Sequence, residues 1–413
     1  MEKRKLRRII ILALLANLVI GFVVYVMASS RDYASGLMPG LGRLIRVMQL
    51  VRRNYVDERR TSPADLLNAA INGMMRSLDE WSAYMPPEAV REWEDEGAGH
   101  YGGIGITFFP DASRLVVRGV IPNGPAQRAG LKTGDEILTI DGAEIDDSDF
   151  ANGFLRLRGE PGTKVTIGVR RGEEEMELTL TREVINMPVV RNRFILEGDI
   201  GFVQLLEFAD SSVPALEEAL KYFEAQKVKG LVIDLRNNPG GNVDTAVDIC
   251  SMFLEENKVV VTMKGRVSRG AVTHFSHAAY HFPSEIPLVL LVNGATASSA
   301  EIMSGCLQDH GRARLVGTRT FGKGVAQSFF PLGDGTAVKL TTSRFYTPDS
   351  SKGSIHGNGI APDYEVKISR FRARRLEDSY VTGEEPQLTL DPQLAKAVEI
   401  ISNFSHSGGG AQK

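Results

Sequence analysis

A serine hydroxyl is a poor nucleophile until a neighbour takes its proton, so the first search along this chain is for a hydroxyl together with a base. The run Asn293-Gly294-Ala295-Thr296-Ala297-Ser298-Ser299-Ala300-Glu301 offers adjacent hydroxyls among small side chains. Candidate bases are few. His274, His277 and His281 lie close together, but in a polar stretch, and no GxSxG pattern is present to receive a Ser/His/Asp triad. A lysine serves instead where burial disfavours its ammonium form. Lys323 meets that demand, because Phe321, Val325 and the flanking Gly322 and Gly324 offer an apolar, close-packed setting without a carboxylate nearby in sequence.

Acyl transfer also needs donors aimed at a developing oxyanion. Gly240 and Gly241 follow Leu231-Val232-Ile233-Asp234-Leu235, which reads as a buried strand. Lacking a Cβ, they let the backbone approach a substrate carbonyl. The amide of Gly240 or Gly241, with that of Ser299, is the expected oxyanion hole. Plainer readings stand beside these: Ser298 as an N-cap serine in a strand-to-helix connection, Lys323 as a solvated loop lysine, and Gly240-Gly241 as an ordinary βα turn.

Three stretches, in order, carry a resemblance. The first is Tyr101-Gly102-Gly103-Ile104-Gly105-Ile106, followed by Pro125-Ala126-Gln127-Arg128-Ala129-Gly130-Leu131-Lys132-Thr133-Gly134-Asp135-Glu136-Ile137. The second is Asp234-Leu235-Arg236-Asn237-Asn238-Pro239-Gly240-Gly241. The third is Asn293 to Glu301 with Gly322-Lys323-Gly324-Val325-Ala326-Gln327. Together, over roughly Leu41 to Val366, the chain resembles the carboxyl-terminal processing peptidases, or tail-specific proteases, which are Ser/Lys serine peptidases with an inserted PDZ domain. The resemblance implies Ser298 as nucleophile and Lys323, 25 residues on, as general base. Ser299 would sit one residue closer and on another face of the turn. Gln327 is implied to orient the lysine, and in a strand two residues four apart share a face. The first stretch resembles a PDZ domain, in which the backbone amides of Gly103, Ile104, Gly105 and Ile106 would receive a terminal carboxylate while the peptide adds as a strand. Asp309 resembles the family's aspartate after the nucleophile helix, with a structural role. Ile355 to Asp363 resembles the segment that closes the catalytic domain, and His356 there reads as structural. Arg158 reads as a surface arginine, with a link between ligand and active site as the sharper alternative.

These residues must be positioned by more than one core, since 413 residues exceed the usual domain two to three times over. With 43% hydrophobic and 24% charged residues, the composition is that of a globular body. A net charge of -3 gives no basis for nucleic-acid binding. Cys250 and Cys306 are too few for a disulfide scaffold and are not spaced as a zinc site; their pairing stays open. The histidine cluster lacks a convincing further ligand type, and no cofactor is expected.

Lys3, Arg4, Lys5, Arg7 and Arg8 precede an uncharged run from Ile9 to Ala28, long enough at about 1.5 Å per residue for a bilayer core of roughly 30 Å. The charge asymmetry places the amino terminus in the cytoplasm. The expectation is therefore a single-pass protein of the bacterial cell membrane with its body on the extracytoplasmic side, in the periplasm or at the cell exterior. A cleaved signal peptide ending at Val26-Met27-Ala28 is the rival.

From Leu41 to about Met85 apolar residues recur at helical spacing, with Thr61-Ser62-Pro63-Ala64-Asp65 as a helix start. These helices are expected to pack on the body or, alternatively, on a second copy in a homo-oligomer. Short alternating runs from Tyr101 to Glu183 predict a small β domain. From Gly198 onward β runs alternate with helices. The fold class expected is an α/β catalytic domain with a mainly parallel sheet, an inserted small β-rich PDZ-like domain and N-terminal helices. The expected domains are an N-terminus and anchor at 1–30, a helical region at 31–97, the PDZ-like domain at 98–185, the catalytic domain at 186–370, a helical extension at 371–404 and a disordered tail at 405–413. The function expected is an endopeptidase that docks protein or peptide substrates by their exposed C-terminal tails. The alternatives are an inactive PDZ peptide-binding scaffold and a hydrolase of non-peptide esters or amides.

Overall fold

The computed structural model describes residues 37–97, 100–108, 115–145, 156–186, 189–267, 270–278 and 280–406. The chain divides into two compact units, residues 1–84 and 85–413. In the first, α1 spans Leu37–Asn54 and α2 spans Pro63–Arg76. The Ser62 hydroxyl accepts the Asp65 N–H and Pro63 occupies the first turn, where its missing N–H costs nothing. The helical pattern does not run on to Met85: Ala83–Met85 is extended, as the residue before Pro86 favours.

The single-pass membrane placement expected from the sequence is corrected by the fold. Among the described residues no helix is long and apolar enough to cross a membrane. Helix α1 has the length, but carries Arg43, Arg46, Arg52 and Arg53, and each charge at mid-bilayer costs about 2.5–3.5 kcal/mol. The Ile9–Ala28 run lies outside the described residues.

The second unit opens with α3, Pro87–Gly97. A small β domain follows, made of β1 (His100–Gly103), β2 (Ile106–Phe108), β3 (Leu115–Val120), β4 (Glu136–Ile140), β5 (Lys164–Arg171), β6 (Glu174–Thr181) and β7 (Glu183–Asn186). Strands β2 to β6 neighbour one another in chain order, and β1 pairs with β7. Alternate residues such as Val165, Ile167 and Val169 turn into its core with Ile104, Leu131 and Ile137. Asp135 of the Thr-Gly-Asp motif is buried and tied to Arg171 at 2.7 Å and to the Lys132 N–H at 2.8 Å. Its place in the motif is structural, and hydrogen bonding to Arg171 outweighs burial to hold its pKa low.

The rest of the unit is β8 (Val190–Leu196), β9 (Ile200–Leu205), α4 (Ser212–Ala225), β10 (Gly230–Asp234), α5 (Val243–Ser251), β11 (Val259–Gly265), β12 (Val272–Phe275), β13 (Leu288–Val292), α6 (Ser299–Asp309), β14 (Ala313–Gly317), β15 (Val325–Pro331), β16 (Ala337–Tyr346), β17 (Tyr364–Glu365), α7 (Arg370–Thr382) and α8 (Pro392–His406). One sheet has the order β8-β9-β10-β13-β14-β17. Within it β8 is antiparallel to β9 and the later pairings are parallel. Both faces are covered, which is why β13 reads as an unbroken apolar run and β10 is apolar from Leu231 to Ile233. Leu231, Ile233, Leu290 and Val292 turn to one core against α4, α5 and α6. Val232, Val289 and Leu291 turn to the other, with residues of α7 and α8. Each such buried side chain contributes about 1.5–3 kcal/mol. A buried ion cluster ties the carboxyl end of β10 to the start of α8: Arg236 meets Asp234 at 2.7 Å and Asp391 at 2.8 Å. Helix α8 continues through His406, and residues 407–413 lie outside the described residues.

A second, antiparallel group joins β12 to β11, β11 to β16 and β16 to β15. It carries the lysine loop and the wall of the cleft described next. Cys250 and Cys306 are buried free thiols on α5 and α6; the neighbouring Cys250 thiol and burial push the Cys306 thiol up.

Candidate active site

Ser298 stands between β13 and α6 with φ 55° and ψ −120°. A non-glycine residue there stores on the order of 1–3 kcal/mol of strain, and the surroundings must hold it. They do so from several sides. Thr296 Oγ1 donates to the Leu235 carbonyl at 2.8 Å, and the Ala297 N–H to the Asn238 carbonyl at 2.9 Å. The Ser298 N–H donates to Glu301 Oε2 at 2.9 Å. This is a strained strand-turn-helix elbow without the GxSxG sequence, its tight packing allowed by Ala295, Ala297 and Ala300.

Glu301 was not singled out by the sequence reading. Its carboxylate is fully buried. It accepts from Ser298 N, from Thr320 Oγ1, from Gly322 N at 2.7 Å and from Lys323 N at 2.8 Å. Burial raises its pKa and these four donors pull it back. One carboxylate thus fixes the backbone of the elbow and the backbone of the lysine loop. The Ser-x-x-Glu spacing of a capping box is the signal that points to it.

Lys323 is half-buried. Burial lowers its pKa, the positive charge of Lys339 lowers it further, and Glu301 opposes both. Its loop is backed by the segment resembling the family's closing segment: the Gly357 N–H donates to the Gly322 carbonyl at 2.9 Å. At Gly324 an added Cβ would stand 2.1 Å from His356 N, so only glycine fits. Ser298, Lys323, Gly240, Gly241 and Gln327 line one cleft of about 610 Å³. Among the described residues no hydrogen bond joins the Ser298 hydroxyl to the lysine amine; such contacts commonly tighten only once substrate is bound.

Gln327 lines the cleft, but its amide donates to Thr341 Oγ1 at 3.3 Å and to the Val325 carbonyl at 3.5 Å. Strand β15 begins at Val325, after the lysine, and its register shifts between Ala326 and Gln327. Even spacing therefore does not carry Gln327 onto the lysine.

Of the three amides expected at the oxyanion hole, that of Gly240 donates to Asn238 Oδ1 at 2.8 Å. The amides of Gly241 and Ser299 have no acceptor among the described residues. Ser299 Oγ donates to the Gly241 carbonyl at 2.7 Å and binds the two together. The Ser299 amide opens α6, where the helix dipole adds positive potential. Gly240 has another part, because its missing Cβ leaves room for Ala297 O, Ser298 Cβ and Ser299 N.

In the small β domain Ile104 and Ile106 are buried in the core. Gly103 ends β1, and Gly105 has φ 74°. The Ile104 and Gly105 carbonyls accept from Ala126 at 2.8 Å and Ile121 at 2.9 Å, so these two are already engaged within the domain. Residues 146–155 lie outside the described residues. Arg158 is half-buried, with its guanidinium 4.8 Å from the Tyr101 ring centre, rather than a plain surface arginine. Asp309 pairs with Lys352 and accepts the Asp349 N–H at 2.8 Å. His277 pairs with Asp248 at 2.8 Å. Among the described residues no group of three His, Cys, Asp or Glu side chains could hold a metal ion.

The chain is similar to known proteins over most of its length. The profile of peptidase family S41 matches residues 199–366, and that of a PDZ domain matches residues 102–181. A carboxy-terminal-processing protease of Bartonella bacilliformis is 37% identical over 335 residues, covering 79% of this chain and 75% of that one. A carboxyl-terminal-processing protease of Synechocystis is 34% identical over 326 residues, 77% of this chain and 75% of that one. The crystal structure of a putative S41 protease from Bacteroides fragilis shares the fold, with a TM-score of 0.50 at 20% identity over 87% of this chain and 97% of that one. The chain belongs to peptidase family S41, among the carboxy-terminal-processing serine proteases, and carries a PDZ domain.

Proposed function

We propose that this peptidase cuts by a Ser/Lys acyl-enzyme mechanism on substrates presented by their C-terminal tails. The neutral amine of Lys323 takes the proton of Ser298 Oγ as that oxygen attacks the scissile carbonyl carbon. The oxyanion is stabilised by the amides of Gly241 and Ser299. Collapse breaks the C–N bond, and the leaving amine takes the proton back from Lys323. Water then attacks the ester with Lys323 again as base, freeing the acid and restoring Ser298. The observation that carries the reading is the shared Glu301 carboxylate, which anchors Ser298 and Lys323 to one another through their backbones.

Tail recognition rests on the PDZ domain. A free carboxylate would be met by backbone amides of Gly103 to Ile106 while the peptide extends a sheet edge. Gln327 would act from the cleft wall, where its amide is held by Thr341 Oγ1 at 3.3 Å.

The test is cleavage of an unstructured C-terminal tail by the intact chain, with Ser298→Ala and Lys323→Ala alongside. Both variants are expected to lose cleavage while keeping the fold. Full activity in either would contradict the mechanism, and an inactive parent chain would favour a peptide-binding scaffold. Amidating the substrate's terminus is expected to raise KM; an unchanged KM would remove the PDZ role.

A further inference from the structure

Strands β15 and β16 are paired so that Gln327 lies opposite Thr341 and Phe329 opposite Lys339. Side chains alternate along a strand and directly paired residues share a face, so these four belong to one face of the ribbon. That face is the wall of the cleft: Trp93 of α3 stacks on Phe329 with ring centres 4.8 Å apart, and Gln327 and Lys339 both line the cavity with Ser298 and Lys323. Lys339 is half-buried there. Among the described residues it has no carboxylate partner. A second lysine without a carboxylate partner thus stands in the cleft that holds Lys323.

Resting on the Ser/Lys reading above, we propose that Lys339 is a positioning residue whose fixed positive charge keeps the Lys323 amine uncharged and ready to accept the Ser298 proton. Two ammonium groups in one cleft of lowered dielectric repel, and the loss of a proton from one of them relieves the repulsion. The other titratable groups around Lys323 come from separate elements. Glu301 reaches it from α6, Glu94 lies on α3, Glu207 and Asp210 follow β9, and His356 lies against Gly324. Asp210 is held by Asn242 at 2.7 Å. Of these, Glu301 favours the charged lysine and Lys339 opposes it, consistent with the lowered pKa of Lys323. Burial does most to favour the neutral amine, and the charge of Lys339 adds to it against the opposing pull of Glu301.

The experiment is the pH dependence of kcat/KM for peptide cleavage by the full chain, its K339Q and K339R variants, and K323A as reference. K339Q is expected to move the acidic limb to higher pH, with about tenfold lower rate per unit of displacement at pH values below the limb, and to recover parent activity above it. K339R, which keeps the charge, is expected to keep the parent limb. An unmoved limb in K339Q, equal displacement in both variants, or a change in KM alone would overturn the proposal, the last by making Lys339 a substrate contact. Activity retained in K323A would instead sink the underlying Ser/Lys reading, so the two failures are separable.

Discussion

A Cβ placed on Gly240 would stand 2.7 Å from the Cβ of Ser298. The turn after β10 is therefore pressed onto the elbow after β13, and the two halves of the candidate oxyanion site are set by contact rather than by a flexible loop. Gly240 also has φ 97°. Gly240→Ala is expected to lower kcat/KM by about a hundredfold, since displacement of reacting groups by about 1 Å has that effect. A thermal melt that stays cooperative alongside the kinetic loss would place the damage at the site, and parent-like cleavage would show that the contact is not needed.

Glu301 accepts four hydrogen bonds in the dark of the core, and an amide of the same size cannot accept them all. Glu301→Gln turns one accepting oxygen into a donor facing donors, at a cost of about 1–3 kcal/mol in stability. The expected kinetic signature is a fall in kcat with KM nearly unchanged, because the elbow and the lysine loop lose their shared anchor. Urea unfolding and steady-state kinetics check the two halves of this prediction.

The pH dependence has a definite sign. Burial and Lys339 lower the pKa of Lys323, and the active form of a general base is the neutral one. Activity is then expected to rise with pH through this lowered pKa and to be lost as pH falls below it. A rate that stays flat from acid to alkaline pH, with the fold intact throughout, would contradict a neutral-lysine base.

Next to the turn that carries Gly240, Asp391 is fully buried beside Arg236. Burial raises its pKa, but Arg236 outweighs that and holds it below the usual carboxylate value. A depressed carboxylate pKa supplies stability above its unfolded pKa and loses it as pH falls through the folded one. Asp391→Asn is expected to cost about 3–5 kcal/mol at neutral pH, as for a broken buried pair. It should also flatten the acid side of the stability curve, as read by denaturant midpoints across pH.

Much of this architecture is legible in the residue string because its causes are local or periodic. Apolar runs such as Leu288–Val292 announce strands covered on both faces, and Ser62-Pro63 announces a helix start. The grouping of Ser298, Lys323 and Gly241 follows from motifs set on those elements. What escapes the string depends on tertiary fit. The shifted register at Ala326 and Gln327 breaks an even-spacing argument, because alternation holds only where the ladder is regular. The Gly240 amide is diverted to Asn238 by a side chain two residues away. Arg158 lies on Tyr101 because chain folding brings a loop to β1. Glu301 looks like one more helix-start carboxylate until the lysine loop is seen to converge on it.

The mechanism requires that the Ser298 Oγ be the oxygen that becomes acylated. Treating the full chain with a fluorophosphonate and locating the adduct by tandem mass spectrometry is expected to show phosphonylation of Ser298, absent in Ser298→Ala and strongly slowed in Lys323→Ala. An adduct on another residue, or equal labelling of the parent and the lysine variant, would contradict it.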